Sequence, residues 1–422
     1  MSLRRSYVGL VLVVLLLAAC SPHRAQKVSP PGPLPARFAA ADAINAEMPL
    51  GRWWENFRDP LLNDLMAEAF AGNLGLEQAY ARLEQAEALA RIAGAARRPS
   101  MALQGAAGRV RQSGLFGVQT DNRFQLSVAA GFELDVWRKL ASRSEAARLD
   151  ALAVRQDLEA LYLSLSARVA DLYYLAVEQR SQLALADSTI ASFADTLQRV
   201  EDRYREGLVP ALDVYQSRQN LAAAKARRPI FVANLASAEH ALAVLLGRLP
   251  ERPAAGSLTE LPALEGVFPV GLPATLLQRR PDVAGALSRL QATDARVAAA
   301  VADRFPSFNL VAEYGGASSE LGSLLDSPNI FWNLLANLAQ PLIDGGRRKA
   351  EVDRTRALFR ENLGYYHQIA LQAFQEVEDA LVQERTGVRR IELLEQRVVA
   401  TAGSLRLSTD RYLQDFRNIC RY

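Results

Sequence analysis

Few residues in this chain have the type and setting to do chemistry, and the clearest is Cys20. It follows Leu17, Ala18 and Ala19. Before them come a basic start, with Arg4 and Arg5, and an apolar run from Tyr7 to Leu17. That layout is a secretory signal over residues 1–19, too short to span a bilayer as a mature helix. The Leu-Ala-Ala-Cys stretch resembles a bacterial lipobox, in which the cysteine becomes the lipidated first residue. Acyl chains on Cys20 would give membrane affinity of about 0.8 kcal/mol per buried CH₂. Ser21 stands where, by that resemblance, an Asp would mark retention at the inner membrane. Residues 20–59, with Pro30, Pro31, Pro33 and Pro35, read as an extended tether.

Beyond Cys20 the chain holds no HExxH, no Cys/His metal spacing, no phosphate-binding loop and no GxSxG. Carboxylates such as Glu376 and Glu378 fall on a solvated or lumen-facing helix. His240 and His367 are lone residues in helical patterns. The expectation is therefore a protein that is not an enzyme and has neither metal nor cofactor. Net charge is +3 with 23% charged residues, which argues against a nucleic-acid partner. Half of the 422 residues are apolar but only 7% are aromatic, favouring long helices over a large aromatic core.

The elements come in two copies. "ARLEQAEALARIAGAARRPS" ends at Ser100 and "SRLQATDARVAAAVADRFPS" at Ser307, an offset of about 207. Arg203-Tyr204 recurs as Arg411-Tyr412, an offset of about 208. The first repeat spans 60–247: a helix from Pro60 to Ala96, a strand pair over 99–136, a long helix over 137–206 and a return helix over 211–247. A Pro-rich linker covers 248–273. The second repeat spans 274–422, with a helix, a strand pair over 306–343 and a long helix over 345–413. In the opening helices Leu76, Ala79 and Leu83 match Val283, Ala286 and Leu290 at helical spacing.

The strands alternate. Phe124, Leu126, Val128, Phe132, Leu134 and Val136 share one face, with Gln125, Ser127, Glu133 and Asp135 on the other. Phe308, Leu310 and Tyr314 likewise oppose Asn309 and Glu313. "SMALQGAAGRV" and "FWNLLANLAQP" fit the same pattern more weakly. From Trp137 to Glu206 there is neither Pro nor Gly, which allows a helix of roughly 105 Å. Leu158, Leu161, Leu165, Leu172 and Leu175 mark its packing seam. Tyr366, Ala370, Phe374, Val377, Leu381 and Glu384 mark that of the second copy. If the four strands span a membrane, they cannot close alone, because a barrel needs at least about eight. Three chains would supply twelve.

With these elements in place, the chain resembles the outer-membrane factors, the TolC/OprM-like exit ducts, and specifically the NodT-type lipoproteins of multidrug efflux. The resemblance rests on the lipobox at Cys20, on "FELDVWRKL" from Phe132 and "QPLIDGGRRKAEV" from Gln340 at the strand-to-helix junctions, on "GLPATLLQRRPDVAGA" from Gly271 opening the second repeat, and on "RYREGLVPALDVYQSR" from Arg203 at a hairpin tip. It covers nearly the whole mature chain.

The resemblance implies a mostly α fold with a transmembrane β part. Each tandem-repeat protomer would give four strands to a trimeric 12-stranded β-barrel and long helices to a periplasmic α-barrel. It implies a homotrimer at the outer membrane, lipid-anchored through Cys20, passing small molecules passively. The implied partners are a periplasmic adaptor (membrane fusion protein) and an inner-membrane RND-type pump. It places the adaptor contact at Gly207, Leu208, Val209 and Pro210, and a closable end near Asp202, Arg203, Tyr204, Asp213, Asp410, Arg411 and Tyr412. Two alternatives stay open: an exit duct for type I protein secretion, and a lipid-anchored periplasmic coiled-coil scaffold without a pore. At offset 208 Tyr422 matches Val214, so the second repeat is expected to be incomplete at its end, through a truncation or a shifted frame, with its duct function impaired.

Overall fold

Successive apolar stripes and turn signals divide the described residues into six long helices and four strands. The computed structural model describes residues 23–26, 28–32, 35, 38, 39, 51–114, 117–251, 256–262, 275, 277 and 279–419. Of 112, 114, 117, 119 and 412–419 only the backbone is described. The elements are α1 (Pro60–Gly72), α2 (Leu74–Ala95), β1 (Ser100–Gly114), β2 (Gly117–Leu134), α3 (Lys139–Arg205), α4 (Ala211–Leu245), α5 (Pro281–Ala302), β3 (Ser307–Ser318), β4 (Ile330–Ala339) and α6 (Arg347–Ile419). A short 3₁₀ turn, Trp53–Phe57, precedes α1.

The helix expected from Pro60 to Ala96 is two helices. Asn73 adopts an extended backbone, ends α1 and caps α2, its side chain accepting from the Leu76 N–H at 3.1 Å. Its amide also donates to the Leu245 carbonyl at 2.8 Å, tying the break to the end of α4. The two chains cross there on backbone alone: a Cβ on Gly72 would sit 2.6 Å from the Leu246 oxygen.

One core joins α1, α2, α3, α4 and the 3₁₀ turn around Leu62, Met66, Leu76, Val169, Tyr173, Val177 and Leu242. A second joins α5 to α6 through Val283, Ala286, Leu290, Val297, Phe359, Tyr366 and Ala373. On α3 the expected seam holds at Leu158, Leu165 and Leu172, but Leu175 is 40% exposed. The 3.6-residue period carries the stripe onto Val169, Tyr173 and Ala176 and leaves Leu175 beside it. On α6, Tyr366 and Ala370 are buried, whereas Glu384 is exposed and most side chains from Asp379 to Arg411 face outward. That helix continues past the expected 413 to Ile419.

The strands form one antiparallel sheet in the order β1-β2-β3-β4. Val136, expected to extend β2, lies beyond its end at Leu134. Among the described residues both edge strands, β1 and β4, have one strand neighbour each.

The N-terminal tether does not hang free. His23 Nε2 lies 2.9 Å from Asp294 Oδ1 on α5. His367 of α6 meets the Ser29 carbonyl at 3.1 Å. Phe38 is buried against Phe374, and the Ala39 N–H donates to Glu378 at 2.6 Å. This strap runs along α5 and α6.

Candidate functional site

Residues directly opposite in a sheet share a face. Leu103, Val128, Tyr314 and Trp332 are such a row, one from each strand. With Met101, Leu134, Leu334 and Leu338 they make a face that is apolar and exposed, Trp332 at 75%. The opposite face carries Gln104, Gln125, Ser127, Glu133, Asn309, Glu313, Asn333 and Asn337. There Glu313 accepts from Gln125 Nε2 at 3.4 Å and Asn333 Nδ2 at 3.2 Å. A water-soluble sheet buries its apolar face. This one presents it outward and keeps polar groups within, the pattern of a barrel wall in lipid. No described helix is long and apolar enough to cross a membrane.

The sheet meets the helices at a charged joint. The Asp135 carboxylate caps α3, accepting from the N–H groups of Leu140 and Ala141 at 2.9 and 2.6 Å. Asp344 does the same for α6 through Gly346 and Arg348, at 3.0 and 3.2 Å. Between them Asp303 draws in Lys139 at 4.0 Å, Arg143 at 3.7 Å and Arg348 at 3.3 Å. Trp137 stacks on Phe305 at 4.9 Å and donates to the Pro306 carbonyl. The Asp303 contacts thus tie both strand-to-helix turns to one another where α3 and α6 leave the sheet.

At the far end of α3 the chain reverses through Gly207–Pro210. The Leu208 N–H bonds back to the Arg203 carbonyl at 2.9 Å and the Gly207 N–H to Tyr204 at 2.9 Å. Gly207 has φ +77°, the left-handed residue that this helix ending requires. Pro210 precedes α4, and Asp213 lies in the first turn, where the helix dipole favours a negative charge. Arg218–Glu201 and Arg228–Asp187 pairs, at 2.8 and 2.6 Å, then hold α3 to α4. These four tip residues form one compact turn.

The candidate gate residues lie near the α3–α4 tip and on the last turns of α6. Asp202 pairs within its own helix, with Arg205 and with Gln198 at 3.0 Å. Tyr204 is half exposed. Asp410 and Arg411 project outward near the end of α6. The Tyr412 side chain and Cys20 lie outside the described residues.

Among the carboxylates, Glu376 is held by Arg280 at 2.5 Å, and Glu378 receives the strap. Both are thus engaged in contacts within the chain. Among the described residues no group of His, Cys, Asp and Glu is arranged to hold a metal ion. Sequence reading missed the Glu313 cluster and the strap contacts of His23 and His367. The only signal for the cluster was the polar residue at alternate positions in three strands.

Known proteins resemble this chain in sequence and in structure. The pyoverdine export outer membrane protein OpmQ of Pseudomonas putida is 30% identical over 98% of this chain and 89% of its own length. The probable outer membrane lipoprotein SilC of Salmonella typhimurium is 28% identical over 88% and 81%. The solved outer-membrane channel OprN superposes with a TM-score of 0.86 at 27% identity, covering 93% of this chain and 89% of that one. The family described as outer membrane efflux protein matches residues 65–248 and 272–414. With its reversed sheet, its two locked strand-to-helix joints and a family match over most of its length, this chain belongs to the outer membrane efflux proteins.

Proposed function

We propose that the chain is the outer-membrane exit duct of a tripartite efflux system. Three copies would form the conducting tube. A periplasmic adaptor would meet the Gly207–Pro210 tip, and an inner-membrane pump of the RND type would supply the energy. The carrying observation is the sheet turned apolar face outward, with four strands and two unpaired edges among the described residues. Four strands are too few to close, and an open edge in lipid leaves backbone groups without partners. A periplasmic scaffold would have no use for such a sheet.

The strap supports lipidation at Cys20. Asp294, which holds His23, lies eight residues before the end of α5 at Ala302, about 12 Å from it. Three residues of extended chain from His23 to Cys20 span about 10 Å. An extended stretch directed along α5 would bring Cys20 to within a few ångströms of the level where α5 gives way to β3. SilC being a probable lipoprotein supports the same reading.

Purified protein in planar bilayers tests the duct. Discrete conductance steps are expected, and a trimer-sized protein that gives none would overturn the reading. Cys20→Ala with an intact signal sequence should lose radiolabelled fatty acid while the chain is still exported.

A further inference from the structure

The hairpin of β1 and β2 is longer than the hairpin beside it. Pairing between β2 and β3 ends at Phe124 and Ser318, whereas β1 and β2 stay paired as far as Gly114 and Gly117. Beyond Phe124 the two strands stand as a ribbon past the rest of the sheet, at the end remote from the helices.

The faces of the sheet continue into this ribbon. Side chains alternate along a strand, so Arg109 and Arg111 fall on the face that carries Leu103 and Val128. Arg109 lies opposite Asn122, and Arg111 opposite Thr120. All four are exposed, and among the described residues neither arginine has an ion pair or a side-chain hydrogen bond. Ser113 and Val118 complete the outward side chains described for the ribbon, and none of the six is acidic. The polar face differs, for there Arg123 is balanced by Asp121. Charge that served only to keep a ribbon in water would have no reason to be of one sign on the apolar side.

The height of the arginines follows from β2. Its outward residues from Leu134 to Phe124 are Leu, Phe, Ala, Val, Leu and Phe, an unbroken apolar run. Ten residue steps rise about 33 Å along a strand, and at a tilt of about 40° they climb about 25 Å, the height of the apolar band on a barrel in lipid. The run stops at Phe124, where the β2–β3 pairing stops as well. Asn122 and Arg109 are the next outward pair, and Thr120 and Arg111 the one after. They therefore stand at the level of lipid headgroups.

We propose that Arg109 and Arg111 bind the phosphate groups of lipid in the outer leaflet. The proposal rests on the duct reading above, which puts the helices in the periplasm and the ribbon on the far side of the membrane. A guanidinium offers a planar fork of donors matched to phosphate oxygens. Two of them on alternate residues of one strand have Cα atoms about 6.7 Å apart, close enough to hold one headgroup together. Nearer the helices, Ala107 and Gly105 follow on the same side of β1, and a Cβ on Gly105 would meet only the tip of Leu126, at 3.8 Å. An acyl chain can lie there against Leu126 and Phe124. A free phosphate ion would make no use of that apolar run, so the lipid is the better fit.

The probe is lipid A, a bisphosphorylated and acylated disaccharide, with its monophosphoryl and fully dephosphorylated forms. Each is titrated into the full chain in detergent and followed by native mass spectrometry, and conductance in planar bilayers is recorded from the same preparation. Binding should fall as phosphates are removed, and inorganic phosphate at the concentration of the lipid should not compete. Arg109→Gln/Arg111→Gln should weaken lipid A binding about tenfold or more, whereas Arg123→Gln, on the other face of the ribbon, should change it by less than about twofold. Should the double variant fail to assemble, the three lipid forms on the natural chain still decide. Binding indifferent to phosphate content, or unchanged in Arg109→Gln/Arg111→Gln, would overturn the proposal. Displacement by inorganic phosphate would overturn the assignment to lipid. Any of these with conductance steps intact leaves the duct standing, while a preparation without conductance steps would overturn the duct and this proposal together.

Discussion

The Tyr173 hydroxyl donates to Asp59 Oδ2 at 2.8 Å, deep in the core of the first repeat. The other oxygen of Asp59 caps α1, accepting from Leu61 and Leu62 at 3.0 and 3.2 Å. Burial, with the neighbouring carboxylate, pushes the Tyr173 pKa upward, so the hydroxyl stays a donor. Tyr173→Phe removes a bond to a charged, buried acceptor and should cost about 1.5–3 kcal/mol. Asp59→Ala loses the cap as well and should cost more. Thermal unfolding in detergent, followed by circular dichroism, ranks the two. An unchanged melting temperature in Tyr173→Phe would refute the role given to this bond.

Gly207 sits at φ +77°, with open space around the place a Cβ would occupy. The cost of a side chain there is conformational and not steric contact. Gly207→Ala should destabilise the tip by about 1–2 kcal/mol, and Gly207→Asn by less. Hydrogen exchange at the Leu208 amide reads this directly, and binding of the adaptor should fall in the same order. Equal exchange in all three proteins would show that the turn does not depend on glycine.

Arg280 and Asp282 should make part of the stability of the α5–α6 pair sensitive to acid. Burial opposes the charge on Asp282, but hydrogen bonds from Arg280, at 3.1 and 2.7 Å, and its positive charge outweigh it. The folded pKa is held below the ordinary value. A depressed carboxylate stabilises above its unfolded pKa of about 4 and loses that contribution as pH falls through the lower, folded value. Melting temperatures from pH 7 to 3 should therefore drop less steeply in Asp282→Asn than in the natural chain. Parallel curves would contradict the assignment.

Glu313 projects from the polar face of the sheet, fixed by Gln125 and Asn333. In a duct of three copies it would recur as a ring of carboxylates, which favours cations in the lumen. Glu313→Gln should move the cation-to-anion permeability ratio toward unity without abolishing conductance. Reversal potentials in asymmetric salt measure it.

How much of this was legible beforehand depended on whether the signal was local. The strands were readable from period-2 alternation, and β1 was the weakest because Ala and Gly hold so many of its positions. The tip was readable because Gly and Pro interrupt a long stretch without either. The break at Asn73 was not, since a Gly-Asn pair inside an apolar 3–4 pattern resembles a tolerated interruption. Leu175 was misplaced because leucine spacing alone does not fix the phase of a 67-residue helix. The Glu313 cluster needed the register of strands about 190 residues apart, which no single segment contains. The gate residues were named for their nearness to the helix tips, and a closure made between copies of the chain leaves no mark in the sequence of one.

The strap has a bearing on the order in which the molecule is built. Its bonds join residues separated by 271, 338 and 339 positions. Contacts of such high sequence separation form late, because the loop must be closed before they stabilise anything. The first repeat can complete its core from residues 53–246 while α6 is still unmade, yet Phe38 has no surface to bury against until Phe374 has emerged. The amino-terminal segment that reaches the membrane first is thus among the last to dock, and its docking reports that the second repeat has been laid down.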